Sequence, residues 1–357
     1  MVDLPKNIFS GFVVSLIALP LGLGLALASE APPIAGIIAA IAGGMGVSIM
    51  GGSHLTITGP GNGLVIVILG AILGLGDGDL YQGYLFTLAA IIISGVLLFL
   101  FGLFRLGGLS EFFPSSALQG MLAAIGVGIL AKQFHIMLGK KDVTGGTIEQ
   151  LMEIPDSFID FLASHPFSGI LGFLSLVFLF LYSRIRNPYF HLIPAPMWVV
   201  VASIGIGYYY NLVLNEPVPI VQELLIKIPD QLFTNLPRPN FSKWFDINFL
   251  GVVGSITLVA NIESLLSIKA VDKLDPKKRR SNVNKDLRAL GLASVVSGFL
   301  GGLNVVTVIA RSSVNVNNGG TNRSANFFHA AFLVLFVVFL GEQIQRIPLT
   351  VLAAILV

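Results

Sequence analysis

Gly301-Gly302-Leu303-Asn304-Val305-Val306-Thr307-Val308-Ile309-Ala310-Arg311-Ser312-Ser313-Val314-Asn315 is the stretch that decides the architecture. A glycine-bearing segment leads into a short apolar run that carries an arginine. An earlier stretch is built the same way: Ser53-His54-Leu55-Thr56-Ile57-Thr58-Gly59-Pro60-Gly61-Asn62-Gly63 opens the apolar run 61–76. Each reads as an extended segment feeding a helix too short and too broken to be an ordinary span. Upstream of the first stretch, Asn261-Ile262-Glu263-Ser264-Leu265-Leu266-Ser267 puts a carboxylate in a second apolar run. A charge at that depth in a bilayer costs about 2.5–3.5 kcal/mol on insertion scales, so such residues usually line an ion or substrate path.

Composition supports a membrane setting. Of 357 residues, 54% are hydrophobic and 11% charged, with a mean hydropathy of +0.86. Soluble domains carry roughly 25% charged residues. The net charge of +2 gives no support to nucleic-acid binding. There is no cysteine, which excludes disulfides, cysteine-ligated zinc and thiol nucleophiles. The 40 glycines and 18 prolines suit close helix packing and breaks in membrane helices.

Apolar runs lie near 8–29, 34–50, 61–76, 83–104, 116–135, 167–183, 190–212, 248–268, 287–302, 306–318, 325–340 and 346–357. A span needs ~20 apolar residues. The first run follows Lys6, and Ala26-Leu27-Ala28 resembles a signal cleavage site. Its length and the spans that follow favour a retained span. The last run is still apolar at Val357, so a longer natural chain is expected. Arg105, the pair Arg184 and Arg186, and the group Lys277, Lys278, Arg279 and Arg280 follow the fourth, sixth and eighth runs. If every run crosses once, these share one side with Lys6, and that side is cytoplasmic. Lys132, Lys140 and Lys141 on the other side are partly offset by Asp142, Glu149 and Glu153. Residues 148–163 read as a short surface helix.

The two interrupted runs are the third and tenth, seven apart, and enter from opposite faces in this topology. Such a pair is the best sequence pointer to an inverted-repeat transporter. Seven plus seven spans are expected, a first repeat over about 8–212 and a second over about 248–357, with two spans missing after Val357. A half-helix starting at mid-membrane leaves its first N–H groups unpaired, and its dipole puts roughly half a positive charge there. Two such ends facing each other hold an anion. Pro60 suits a first helical turn. Gly59, Gly61 and Gly63 allow close backbone approach, and Thr56, Thr58, Asn62 and Thr307 offer hydrogen bonds. Arg311 reads as a positive charge beside the anion, or as a snorkelling or Glu263-paired structural group. Glu263 and Ser267 share a helix face. Glu263 reads as the partner of a coupling cation or proton, or as a structural acceptor.

Asn315 and Asn317 read as helix–helix hydrogen bonders, and Asn318-Gly319-Gly320 as a helix end. The histidines have weaker claims: His54 in a loop, His135 and His165 in external loops, His191 and His329 at membrane edges. No pair has metal-ligand spacing, and no nucleophile, Walker or dinucleotide motif is present, so an enzyme is not expected and no cofactor is implied. The basic run 277–280 reads as a solvated orientation signal touching anionic lipid.

These residues resemble the SulP family of inorganic anion transporters (the sulfate permease family) along the whole chain. The likeness rests on Ala18-Leu19-Pro20-Leu21-Gly22, Gly59-Pro60, Ile262-Glu263-Ser264, Ala270-Val271-Asp272, Asn282 to Gly291, Gly301-Gly302, Ala310-Arg311-Ser312-Ser313 and Gly319 to His329. The resemblance implies an all-α seven-plus-seven inverted repeat with core and gate domains. It also implies an anion between the N termini of the third and tenth spans, elevator-like alternating access, a homodimer in the full-length protein and a STAS domain in most members. No STAS domain is expected within residues 1–357. Many members carry a glutamine where Leu21 stands, which removes one expected anion contact. The substrate-binding candidates are Thr58, Gly59, Pro60, Gly61, Asn62, Thr307, Ala310, Arg311 and Ser312; the coupling-ion candidates are Glu263 and Ser267. Sulfate is the first expectation and bicarbonate the second, coupled to protons or sodium across a bacterial inner membrane. A nucleobase–cation symporter would be expected to carry a carboxylate on the tenth span, where Arg311 stands. An anion channel is the other transport alternative.

Overall fold

A computed structural model describes residues 3–108, 115–140, 143–164, 166–182, 184–185, 193–226 and 236–357. Lys141, Asp142, His165, Arg186 and His191 lie outside the described residues. Every apolar run contains a helix: α1 (Leu4–Ala28), α2 (Ile34–Met50), α3 (Val65–Gly76), α4 (Leu80–Leu103), α5 (Ser115–Met137), then α6 (Thr147–Met152) and α7 (Ile154–Ser164) between runs, α8 (Phe167–Tyr182), α9 (Ala195–Tyr209), α10 (Ile247–Leu274), α11 (Val283–Phe299), α12 (Ile309–Asn317), α13 (Ser324–Gln345) and α14 (Leu349–Leu356). Two short strands, β1 (Thr58–Gly59) and β2 (Val306–Thr307), precede α3 and α12. The surface helix expected over 148–163 is two helices. Pro155, at the second position of α7, has no N–H to continue α6 and starts a new turn instead.

Five described helices are long and apolar enough to cross a membrane alone: α1, α4, α9 with its extension to Leu214, α10 and α13. At 1.5 Å per residue, the 28 residues of α10 reach about 42 Å. The 12 residues of α3 reach about 18 Å and the 9 of α12 about 13 Å. Neither covers a hydrocarbon core of ~30 Å. They are the two half-helices expected from the interrupted runs.

The chain divides into two compact units, Met1–Ile125 with Pro229–Leu335 and Gly126–Ile228 with Phe336–Val357. Unit 1 holds α1–α4, α10–α12 and both strands. Its core includes Ile68, Ile72, Leu88, Ile256, Leu265, Leu290 and Val305. The α4–α11 contact is close because it is glycine-lined: a Cβ on Gly291 would fall 2.5 Å from the Gly95 oxygen, and one on Gly95 2.7 Å from the Gly291 oxygen. Small residues of this kind let membrane helices approach backbone to backbone. Unit 2 has its own smaller cores, one of Met137, Leu138, Phe161 and Ala353, another of Leu171, Val199 and Val351. His135 was expected in an external loop. It lies instead in α5, fully buried, its ring nitrogens 2.7 Å from the Ser157 hydroxyl and 2.8 Å from the Gln150 carbonyl. Those two partners on α6 and α7 explain why a polar ring is tolerated there.

Candidate functional site

Both half-helices grow out of one strand crossing inside unit 1. β1 and β2 pair antiparallel, Thr58 against Thr307 and Gly59 against Val306. β2 leads through Val308 into α12, and β1 through Pro60, Gly61 and a 3-10 turn into α3, so both half-helices start beside the crossing. The Val308 N–H donates to the Ile57 carbonyl at 2.9 Å, which closes the pair.

Buried side chains hold the crossing in place. The Ser312 hydroxyl accepts from the Ile57 N–H at 2.9 Å and donates to the Val308 carbonyl at 2.7 Å. Asn326 of α13 grips Thr58 twice, accepting from its N–H at 3.2 Å and donating to its hydroxyl at 3.0 Å. Asn315 donates to the Leu55 carbonyl and accepts from Ser10 of α1. It is the helix–helix bonder expected; Asn317 is exposed. The Thr307 N–H donates to Ser264 of α10 at 3.4 Å. Ser264, rather than Ser267, is the α10 hydroxyl that meets the crossing. Ser267 is buried one turn beyond Glu263.

Pro60 is not in a first helical turn. Gly61 is extended (φ −92°, ψ 142°), and helical structure begins with a 3-10 turn at Asn62–Leu64. Pro60 instead stiffens the approach between two glycines that the charged groups press against. A Cβ on Gly59 would overlap Nη1 of Arg311, and one on Gly61 would lie 2.6 Å from Oε2 of Glu263. A side chain at 59 would have to displace the Arg311 guanidinium, and one at 61 the Val306 methyl and the Glu263 carboxylate. Asn62 is exposed, as is Ala310.

The electrostatics leave the site incomplete. No side chain caps α12, so the N–H groups of Ile309, Ala310 and Arg311 have no intrahelical acceptor. Arg311 is 1% exposed, and Nε, Nη1 and Nη2 are all without a hydrogen-bond partner. No ion pair joins it to Glu263 among the described residues. The snorkelling reading fails on that burial. Glu263 Oε1 accepts from the Gly63 N–H at 3.3 Å at the start of α3, a structural contact, while Oε2 is buried and unpartnered. With two helix ends, one guanidinium and one carboxylate, the crossing carries a surplus of roughly one positive charge.

His329 was expected at a membrane edge. It is fully buried in α13, one turn beyond Asn326, with both ring nitrogens unpartnered. Ser264 and Asn326 are thus residues of the crossing that the sequence reading missed. Asn326 and His329, three apart in an apolar run, carry the same signal as Glu263 and Arg311.

The chain matches the model of the sulfate permease family over residues 4–357. It is 27% identical over 354 residues to the putative sulfate transporter YvdB of Bacillus subtilis, covering 98% of this chain and 63% of that protein. It is 24% identical over 357 residues to the bicarbonate transporter BicA of Synechocystis, covering 99% of this chain and 60% of that one. The chain therefore spans less than two thirds of the length of these relatives. Among solved structures, the transmembrane domain of a cyanobacterial BicA superposes with a TM-score of 0.85 at 22% identity, over 99% of this chain and 86% of that one. The overall structure of SLC26A9 gives 0.81 at 19% identity, over 99% of this chain and 57% of that one. The fold is that of these transporter membrane domains, with their core and gate architecture. On its sequence match and on its fold, the chain belongs to the sulfate permease family.

Proposed function

We propose that this chain forms the membrane part of a secondary active transporter for a small inorganic anion. The observation that carries the reading is Arg311. Three guanidinium nitrogens are buried without a partner, beside two helix N termini, and a buried donor left unsatisfied costs about 1–3 kcal/mol, more when charged. An oxyanion supplies the missing acceptors. Thr58, Gly59, Pro60 and Gly61 form one wall of this site, and Thr307, Ala310, Arg311 and Ser312 the other. Asn62 lies at its exposed margin. Glu263 Oε2 faces the same crossing and is the acceptor proposed for a coupling cation, sodium or proton, with Ser267 as a further oxygen.

Sulfate is the first substrate proposed and bicarbonate the second, in keeping with what the similar proteins are named for. Alternating access in a bacterial inner membrane, with a cytoplasmic N terminus and a homodimeric full-length protein, completes the reading. The test is uptake of labelled sulfate and labelled bicarbonate into proteoliposomes of the full-length protein, with and without sodium and proton gradients. Saturable uptake that Arg311→Gln abolishes supports the reading. Uptake equal in the variant and the parent refutes it.

A further inference from the structure

A cavity of about 340 Å³ lies in unit 1 between the loop after α2 and the starts of α11 and α13. None of the residues of the crossing lines it. Its wall is fixed from α1, where Asn7 accepts from the Thr321 N–H at 2.8 Å and the Asn322 N–H at 3.4 Å. The acceptors around it are already engaged. Oδ1 of Asn282 accepts from the Lys285 N–H at 3.1 Å, and Oδ1 of Asn322 from the Ser324 N–H at 2.9 Å. The Gly51 carbonyl accepts from Nη1 of Arg323 at 2.6 Å, and the Gly52 carbonyl from the Asn282 N–H at 3.2 Å. Behind the wall, the buried Asp286 carboxylate accepts from the N–H groups of Gly52 and Ser53 and from the Ser53 hydroxyl. No carboxylate lines the cavity itself. The donors are left over. Among the described residues, Nζ of Lys285, Nε and Nη2 of Arg323 and the amide nitrogens of Asn282 and Asn322 meet no acceptor, and His54 beside them bonds nothing.

Two cations and a set of free donors, with the acceptors turned inward, complement an anion. The free edge of the Arg323 guanidinium suits two oxygens of one oxyanion. The starts of α11 and α13 add the positive ends of two helix dipoles. We propose that this cavity is a second anion site, separate from the crossing, and that it takes a phosphate-type oxyanion, either the phosphate of a lipid headgroup or free inorganic phosphate. It lies on the face proposed above as cytoplasmic, where anionic headgroups are concentrated. Its occupant acts on the crossing through the chain. Ser53 is five residues before Thr58, at most about 18 Å along an extended segment. Between them, the Leu55 carbonyl and the Ile57 N–H are bonded to Asn315 and Ser312 of α12. An anion bridging Lys285 and Arg323 therefore ties down the segment that becomes β1.

Equilibrium binding of labelled inorganic phosphate to the full-length protein in phosphatidylcholine nanodiscs tests this. The measurement is made in Arg311→Gln, which removes the cation of the crossing. Saturable binding is expected there, and adding Lys285→Gln is expected to weaken it about 10-fold, the worth of one exposed charge-assisted contact. Lys285 Nζ bonds nothing in the structure, so its replacement removes no hydrogen bond among the described residues. Arg323→Gln repeats the test from the other wall. Lys277→Gln takes the same charge from the basic run nearby and is expected to bind as before. Adding phosphatidylglycerol to the nanodiscs identifies the source: displacement of the labelled phosphate assigns the site to a lipid headgroup, and undiminished binding assigns it to a free anion. No saturable binding in Arg311→Gln overturns the proposal. So does binding that Lys285→Gln leaves unchanged, or that Lys277→Gln weakens equally.

Discussion

Replacing Gly59 with alanine puts a methyl group where Nη1 of Arg311 now lies. The methyl has nowhere else to go, because the Cα and Cβ of Ala40 would be 3.3 Å away on its other side. Restoring a normal contact of ~3.5 Å requires the guanidinium to retreat by about 1 Å. A cation and an anion moved from 4 to 5 Å apart lose about 0.8 kcal/mol at an effective dielectric of 20. Losing one charge-assisted hydrogen bond adds roughly 1.5–3 kcal/mol. Together these weaken anion binding by about 2–4 kcal/mol, or roughly 30- to 1000-fold in Kd. The assay is equilibrium binding of labelled sulfate or bicarbonate, with the melting temperature followed alongside. Gly70→Ala in α3 is the control, since a Cβ there meets nothing within 4 Å. Wild-type affinity in Gly59→Ala, with an unchanged melt, would refute the placement of Arg311 against the strand.

Arg311→Gln removes an unpaired buried charge, so the anion-free protein is expected to melt higher than its parent. Anion at 100 times Kd should stabilise the wild-type protein by about 2.7 kcal/mol and leave this variant unmoved; a thermal-shift titration reads both. Ser312→Ala strands the Ile57 N–H and should destabilise by about 1–3 kcal/mol in chemical or thermal unfolding; no measurable loss would mean that the crossing is held otherwise. Glu263→Gln keeps an oxygen for the Gly63 N–H and should fold, while changing the sodium or proton dependence of uptake; if coupling and uptake are both intact, Glu263 is a structural cap only. In the loop after α10, burial alone would raise the Asp275 carboxyl, but the Arg279 side chain at 2.7 Å and the Lys277 N–H outweigh it and hold it below the usual range. That stability is present above the unfolded carboxyl value near ~3.9 and is lost as pH falls through the lower folded value. Asp275→Asn should flatten the acid limb of a melt-versus-pH curve, and an unchanged limb would count against the contact.

Much of this architecture is legible in the sequence because a bilayer makes few demands and enforces them strictly. Long apolar runs read as helices, and they are. The breaks before α3 and α12 read as half-helices because glycine, proline and threonine interrupt apolar runs at matching positions. Glu263 and Arg311 stand out because the membrane penalises charge. What stayed hidden depends on which side chains meet in space. Pro60 fitted a helix start by local preference, yet the strand pairing with β2 holds that segment extended and delays the helix to Asn62. His135 looked exposed because its partners, Ser157 and the Gln150 carbonyl, are 22 and 15 residues away. His329 looked peripheral because it lies near the start of a span; packing of α13 on α1 and α2 carries it inward. Arg279 was expected to be solvated with its neighbours, but it bonds Asp275 and the Thr321 carbonyl, a contact across 42 residues.

The central claim is that an inorganic anion binds at the crossing, against Arg311 and the N termini of α3 and α12. Anomalous diffraction from crystals of the protein grown with selenate, and separately with bromide, tests it most directly. The account predicts a peak within hydrogen-bonding reach of the Arg311 guanidinium and the N–H groups that open α12. Well-ordered density for Arg311 with no peak beside it for either ion, or with the anions bound elsewhere, would contradict it.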